Sequence, residues 1–110
     1  MTNYNNPLNS VFKALTDPTR RAVLERLSHG PLSMKELAKP FNMALPSFSQ
    51  HLDVLEECGL VKSSKTGRIR TYVLKTKQLK TAETWLSKYR KQWEQRLASL
   101  DNYLKTMKEE

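Results

Sequence analysis

Residues 41–74 read FNMALPSFSQHLDVLEECGLVKSSKTGRIRTYVL, and this stretch decides the fold. Its first part predicts a helix over about residues 44–57, which Gly59 ends by supplying a left-handed C-cap. β-Branched and aromatic residues then indicate two strands, 61–65 and 69–74, joined by a tight turn. A helix, a glycine turn and a basic β-hairpin in this order are typical of a winged helix-turn-helix.

Three shorter helices are predicted before this stretch. Apolar residues recur at helical spacing over residues 8–15 and indicate the first helix. Asp17, which precedes a proline, has the side chain to cap a second helix, and Gly30-Pro31 ends it. Ser33 and Glu36 have the spacing of a capping box and begin a third, short helix. The predicted fold is therefore mainly α with a small β-hairpin.

A long final helix is predicted from about residue 79. Its apolar residues fall at steps of three and four over about four heptads. Because a small helical core cannot cover so much apolar surface, we expect this helix to pair with that of a second subunit rather than fold back. The residues assigned to dimerisation are Leu79, Leu86, Tyr89, Trp93, Leu97, Leu100 and Leu104. The expected organisation is a flexible N-terminal arm (1–7), a winged helix-turn-helix domain (8–78) and a C-terminal dimerisation helix (79–110).

The composition indicates a basic protein of one domain. The chain has 110 residues, 38% of them hydrophobic, and a formal net charge of +8. Seven basic residues and no acidic residue lie within residues 62–80, on the hairpin and the segment after it. Charge of one sign concentrated so locally predicts a polyanionic partner, since solubility alone does not require it. A single cysteine, a polar start without signal-peptide features and the lack of a bilayer-length apolar run predict a cytoplasmic protein without membrane association.

The predicted helix over residues 44–57 has polar residues at its front and carboxylates at its rear. Phe48, Leu52 and Leu55 form an apolar stripe on one side, and short hydrogen-bonding side chains lie opposite. Because carboxylates repel phosphates, this helix suits the major groove of DNA at its front, where Gln50 can pair with adenine. The hairpin cations suit phosphates or the minor groove. The residues first assigned to double-stranded DNA are Ser47, Ser49, Gln50, His51, Lys65, Arg68 and Arg70.

Residues for other chemistry are few. His29, His51 and Cys58 are too scattered in sequence to predict a metal site, and nothing indicates a cofactor. For His51 a structural hydrogen bond is favoured over metal ligation, and Cys58 is interpreted as a small buried residue. No nucleophile–base pair, glycine-rich phosphate loop or pair of acids is recognisable, so the chain is predicted not to be an enzyme.

Two segments carry a resemblance to a known family. Residues 12–21, FKALTDPTRR, and 46–55, PSFSQHLDVL, followed by Gly59-Leu60-Val61 and the Gly67-Arg68 hairpin, resemble ArsR/SmtB-type transcriptional regulators. The final segment, with its two tryptophans, resembles the branch of that family that lacks metal sites. The resemblance implies a dimeric winged helix-turn-helix repressor that binds operator DNA and is released by a signal.

Two positions depart from the family pattern. The family's thiol metal box would fall at Ser33 and Lys35, neither of which is a thiolate ligand, so metal sensing is not expected. Where many members carry Ser-Gln before the proline of this helix, the chain has Ala44-Leu45. Leu45 is therefore added to the DNA-contact residues, facing thymine methyl groups.

These observations together predict a homodimeric repressor on a roughly palindromic operator, with two reading helices about one DNA turn apart. Two alternatives stay open. The first is a ligand- or thiol-responsive sensor that acts through Cys58 or through a pocket at the dimer seam. The second is a protein-interaction adaptor whose C-terminal helix pairs with a different partner.

Overall fold

The computed structural model describes residues 6–109. Helices α1 to α5 span Pro7–Ala14, Pro18–Leu27, Met34–Ala38, Leu45–Glu57 and Lys77–Glu109; strands β1 to β3 span Leu32–Ser33, Val61–Thr66 and Ile69–Leu74. The predicted winged helix-turn-helix with a long C-terminal helix is confirmed. Within the described range, none of the helices combines the length and the apolar character needed to cross a bilayer.

Helix α1 begins inside the segment predicted to be a flexible arm. Pro7 is its first residue, and the Asn6 side chain caps it by accepting a hydrogen bond from the Leu8 N–H at 2.9 Å. Proline suits this position because the first amides of a helix have no intrahelical partner. Helix α1 therefore includes the last residue of the range predicted as an arm, and the prediction for residues 1–5 falls outside the described part of the chain.

The caps predicted for α2 and α3 are confirmed. Asp17 Oδ2 accepts a hydrogen bond from the Arg20 N–H at 3.1 Å at the start of α2. At α3, Ser33 Oγ accepts from the Glu36 N–H at 3.2 Å, while Glu36 Oε1 accepts from the Ser33 N–H at 3.1 Å. The hydrogen bond from the Ser33 N–H to the Glu36 carboxylate, followed by the Ser33 hydroxyl, lowers the pKa of Glu36.

Gly59 ends α4 in the left-handed conformation that the sequence predicts, with φ +74°. Its N–H donates to the Glu56 carbonyl at 3.0 Å, and the Leu60 N–H donates to the Leu55 carbonyl at 2.9 Å. This pair of hydrogen bonds is a Schellman motif. It turns the chain directly from α4 into β2, which fixes the hairpin next to the end of that helix.

The sheet has three antiparallel strands in the order β1-β3-β2. The sequence predicts only β2 and β3, because β1 has two residues and shows no alternation. It pairs with β3 through Leu32 opposite Tyr72. Gly67 and Arg68 form the two-residue turn between β2 and β3, and the φ of +63° at Gly67 is the reason for glycine there. We call β2, this turn and β3 the wing.

The core lies between α1 to α4, the sheet and the start of α5. The predicted stripe of α4 is confirmed, since Phe48, Leu52 and Leu55 are completely buried. The other buried hydrophobic residues are Val11, Ala14, Val23, Leu24, Leu27, Leu37, Leu60, Val61, Tyr72 and Ala82. Because α4 is anchored along one side, its opposite side faces solvent in a fixed orientation.

Within residues 6–109, helix α5 packs on its own domain at its start. Leu79 packs against the core, Ala82 is buried, and the Trp85 ring meets the Phe12 ring of α1 at a centroid distance of 5.6 Å. Leu79, assigned to the dimer seam, is therefore used by the core of its own domain. The rest of this helix projects from the domain, and the molecule measures 72 × 36 × 22 Å.

Candidate nucleic-acid interface

The outer face of α4 presents the residues that the sequence assigns to DNA. Leu45 is 57% exposed at the first turn. Ser47 and Gln50 are exposed, whereas Ser49 and His51 are half-buried at the edge of the face. The three carboxylates of the helix lie in its second half. The front of α4 thus exposes polar side chains beside Leu45 and carries no carboxylate.

The first turn of α4 lacks a side-chain cap. Ala44 occupies the N-cap position and its methyl group accepts no hydrogen bond. The first amides of a helix have no intrahelical acceptor and carry a partial positive charge. In α4 the N-cap side chain therefore supplies no acceptor to the amides of the first turn.

The wing tip is a cationic surface. Lys65, Arg68 and Arg70 are exposed, and Lys65 stands directly opposite Arg70 in the register of β2 and β3. Like charges opposite each other destabilise an antiparallel pair. Ile69 is also 61% exposed beside Arg68. This arrangement does not favour the fold by itself and suits an anionic partner.

One of the three cations at the wing tip, Arg70, is linked by hydrogen bonds to α4. Arg70 Nη1 donates to Ser63 Oγ at 2.9 Å. The Ser63 hydroxyl in turn lies 2.8 Å from Oε1 and 2.7 Å from Oε2 of Glu56, to which it donates. A chain of hydrogen bonds therefore runs from β3 through β2 to the last turn of α4.

His51 contacts other parts of the protein through Nδ1. This atom lies 3.6 Å from Asp17 Oδ2 and 3.4 Å from Arg20 Nη1. The structural hydrogen bond predicted for His51 is thus available from Arg20, with Nδ1 as acceptor in the neutral ring. In the same geometry the protonated ring would face the Asp17 carboxylate.

Cys58 lies at the end of α4 and faces α1. Its thiol donates to the Ser10 carbonyl, with Sγ 3.4 Å from the oxygen, and burial followed by the Glu57 charge raises its pKa. A raised pKa disfavours the reactive thiolate at neutral pH. The cleft beside this thiol has a volume of about 410 Å³ and is also lined by Lys13 and Arg20.

The projecting part of α5 exposes an apolar stripe. Of the residues assigned to dimerisation, the six beyond Leu79 are between 46% and 61% exposed. These residues, which we call the α5 seam, are Leu86, Tyr89, Trp93, Leu97, Leu100 and Leu104. Tyr103 and Met107 are similarly exposed close by, at 62% and 56%. Exposed apolar residues along one helix in this number are typical of an interaction surface.

Metal-binding geometry is not found in the part of the chain that the structure describes. No group of three His, Cys, Asp or Glu side chains within residues 6–109 could hold a metal ion. At the family's metal-box position, Ser33 is engaged in capping α3.

The sequence does not predict two residues that hold α4 and the wing in place, Arg20 and Ser63. Arg20 joins α1 to α4, since its Nε donates to the Ala14 carbonyl at 2.7 Å while Nη1 meets His51. A basic residue in the first turn of a helix opposes the helix dipole, which is a sequence signal for such a role. Ser63 was also missed, although strand alternation from the buried Val61 places it on the face toward the domain.

A helix-turn-helix domain family matches residues 15–64. The transcriptional repressor SdpR of Bacillus subtilis is 35% identical over 79 residues, which cover 72% of this chain and 88% of the relative. The HTH-type transcriptional regulator Rv2034 of Mycobacterium tuberculosis is 40% identical over 89 residues, which cover 81% and 82%.

Two solved structures of transcriptional regulators are also similar to this chain. The crystal structure of an ArsR family transcriptional regulator is similar with a TM-score of 0.77 and 49% identity, covering 86% of this chain and 97% of that one. An ArsR-like transcriptional regulator from Rhodococcus sp. RHA1 has a TM-score of 0.67 and 34% identity, with 86% and 89% covered.

Proposed function

Because the chain belongs to the ArsR family of DNA-binding transcriptional regulators, we propose that it represses transcription as a homodimer that occupies a palindromic operator. Members of this class act by binding and not by catalysis. One observation carries the proposal: the polar front of α4 and the cationic wing are exposed on a domain whose α5 seam is uncovered. We place this activity in the cytoplasm, where the chromosome of a bacterial relative lies.

The proposal assigns α4 to the major groove as the recognition helix. Gln50 is long enough for a bidentate contact with adenine, and Leu45 offers a methyl-bearing surface to thymine. Ser47 and Ser49 hydrogen-bond to phosphate or base edges near the first turn of the helix, which has no side-chain cap. Specificity then resides mainly in Gln50 and Leu45.

The wing supplies affinity in this proposal. Lys65 and Arg68 contact the DNA backbone or the minor groove beside the recognition helix. Each phosphate contact releases counterions, so it adds about 0.9 to the slope of log affinity against log salt concentration. The wing therefore strengthens binding to all sequences and adds little discrimination.

The α5 seam joins the subunits in this proposal. Two copies related by a two-fold axis bury the apolar residues of both helices against each other. The two recognition helices then meet successive major grooves about 34–36 Å apart, which requires a palindromic site.

The test measures binding to the DNA upstream of the protein's own gene. Fluorescence anisotropy should give an affinity at least tenfold higher for this DNA than for a scrambled duplex at moderate salt. Sedimentation equilibrium of the free protein at micromolar concentration should give a dimer. Equal affinity for the two duplexes would contradict operator binding, and a monomer that pairs with another protein would favour the adaptor alternative.

A further inference from the structure

The hydrogen-bond chain from Glu56 through Ser63 to Arg70 has a role beyond the DNA contacts just proposed. We infer that these three residues form a wing clasp, which sets the angle of the wing relative to the recognition helix. This inference rests on the proposed function, because the angle matters only when helix and wing bind one duplex. Arg70 is then a positioning residue rather than a phosphate contact.

The location of the wing clasp supports this role. Ser63 stands opposite Tyr72, which is only 2% exposed and is the last buried residue of β3 toward the turn. Beyond this pair, residues 64–70 are all exposed. The clasp therefore lies where the wing leaves the domain, and a change of angle at this point moves the whole tip.

The clasp links both strands of the wing to α4. Ser63 belongs to β2 and Arg70 to β3, whereas Glu56 lies in the last turn of α4. Arg70 and Ser63 lie on the same face of the hairpin, because Arg70 is two residues from the partner of Ser63. A carboxylate acceptor strengthens hydrogen bonds of this kind. The arrangement restrains rotation of the hairpin about its root.

Removal of the Glu56 charge distinguishes the clasp from simple repulsion between this carboxylate and DNA phosphates. A carboxylate near the DNA surface repels phosphates, so its removal would by itself tighten binding. If Glu56 holds the wing, its removal weakens binding, because the free wing must be ordered when the complex forms. The two explanations thus predict opposite signs for one substitution.

The first experiment compares Glu56→Ala with Glu57→Ala in operator binding. Both variants lose one carboxylate from the last turn of α4, and both gain the same helix propensity. We expect Glu56→Ala to bind the operator about two- to fivefold more weakly than wild type, the range of an exposed polar link. Glu57→Ala should bind as tightly as wild type or more tightly.

Double variants test whether the three residues act as one unit. Ser63→Ala should weaken binding as much as Glu56→Ala, and the double variant should be no weaker than either single one. In the Glu56→Ala background, Arg68→Gln should keep its full effect, whereas Arg70→Gln should lose most of its effect. Additive losses at Glu56 and Ser63, or a full effect of Arg70→Gln in that background, would overturn the clasp.

A second measurement needs no DNA. Trypsin should cut the free protein after Lys65 and Arg68 faster in Glu56→Ala and Ser63→Ala than in wild type or Glu57→Ala, since the tip moves more freely. Unchanged thermal midpoints would show that the domain itself is intact. Equal cleavage rates in all four proteins would overturn the clasp.

The two proposals fail in different ways. If wild type prefers its operator but Glu56→Ala binds like Glu57→Ala, the clasp is wrong and the proposed function stands. If wild type shows no preference for the operator, the proposed function is wrong, and the trypsin comparison alone decides the clasp.

Discussion

Asp17 Oδ2 lies 3.6 Å from His51 Nδ1, so the residue that caps α2 also contacts α4. Arg20, whose backbone Asp17 caps, contacts the same His51 nitrogen at 3.4 Å and the end of α1 through the Ala14 carbonyl. Three helices therefore meet at one small polar cluster. This cluster ties α4 to α1 and α2.

The Asp17 carboxyl should make stability depend on pH. Desolvation alone would raise its pKa, but the hydrogen bond from the Arg20 N–H and the charges of His51 and Arg20 outweigh it and lower the pKa below 3.8. A carboxyl whose pKa is lower in the folded state stabilises the fold at pH values above the unfolded-state pKa. That stabilisation is lost as the pH falls through the folded-state pKa.

Asp17→Asn keeps an N-cap acceptor but removes the titrating group. We expect its free energy of unfolding in urea to fall less steeply than that of wild type below about pH 4. Asp17→Ala also removes the cap and should cost about 1 kcal/mol at neutral pH. Parallel pH profiles for wild type and D17N would contradict the lowered pKa.

The parts of the fold that follow from neighbouring residues could be predicted from the sequence. The Asp17 cap, the Ser33 capping box and the Gly59 turn each involve atoms within five residues. The buried stripe of α4 follows from helical periodicity in the same way. Local chemistry was therefore sufficient for the helices and for the face that α4 exposes.

Contacts between distant segments could not be predicted in this way. Arg20 and His51 are 31 residues apart, and no local pattern shows that they meet. Strand β1 forms only because β3 offers it an edge. Leu79 fits the same heptad pattern as the α5 seam, and only the packed domain shows that it belongs to the core.

Ala44→Ser should stabilise the protein. Serine at the N-cap can accept a hydrogen bond from a first-turn N–H that the alanine leaves without a local acceptor. We expect the free energy of unfolding to rise by about 1 kcal/mol in urea titrations. Asn42→Ser, which alters an exposed residue outside the cap, serves as control and should have no effect. No gain from Ala44→Ser would indicate that the first turn is already satisfied.

Gln50→Ala and Arg68→Gln should affect DNA binding in different ways. Loss of a base contact relaxes preference at one position of each half-site, whereas loss of a phosphate contact weakens binding to all sequences about equally. The slope of log affinity against log salt concentration should fall by about one unit per subunit for Arg68→Gln. It should stay unchanged for Gln50→Ala. Equal loss of specificity from both changes would show that the reading surface is wrongly assigned.

Leu100→Asp should break the proposed dimer. A carboxylate in the α5 seam loses its hydration when the two helices pair, and it has no partner there. Sedimentation should show a monomer, and operator affinity should fall by about a hundredfold or more because the two half-sites are no longer bound together. Ser99→Asp, next to the seam on the polar side, should remain dimeric. A dimeric Leu100→Asp variant would place the interface elsewhere.

The Cys58 thiol should react slowly in the folded protein. Burial, followed by the Glu57 charge, raises its pKa above 9.0. The thiol also donates its proton in a hydrogen bond to the Ser10 carbonyl. Because the thiolate is the nucleophile, iodoacetamide at neutral pH should alkylate native protein far more slowly than urea-unfolded protein. Cys58→Ser should bind the operator like wild type and respond identically to peroxide. Rapid native alkylation, with operator release by peroxide that Cys58→Ser abolishes, would instead establish the thiol-responsive alternative.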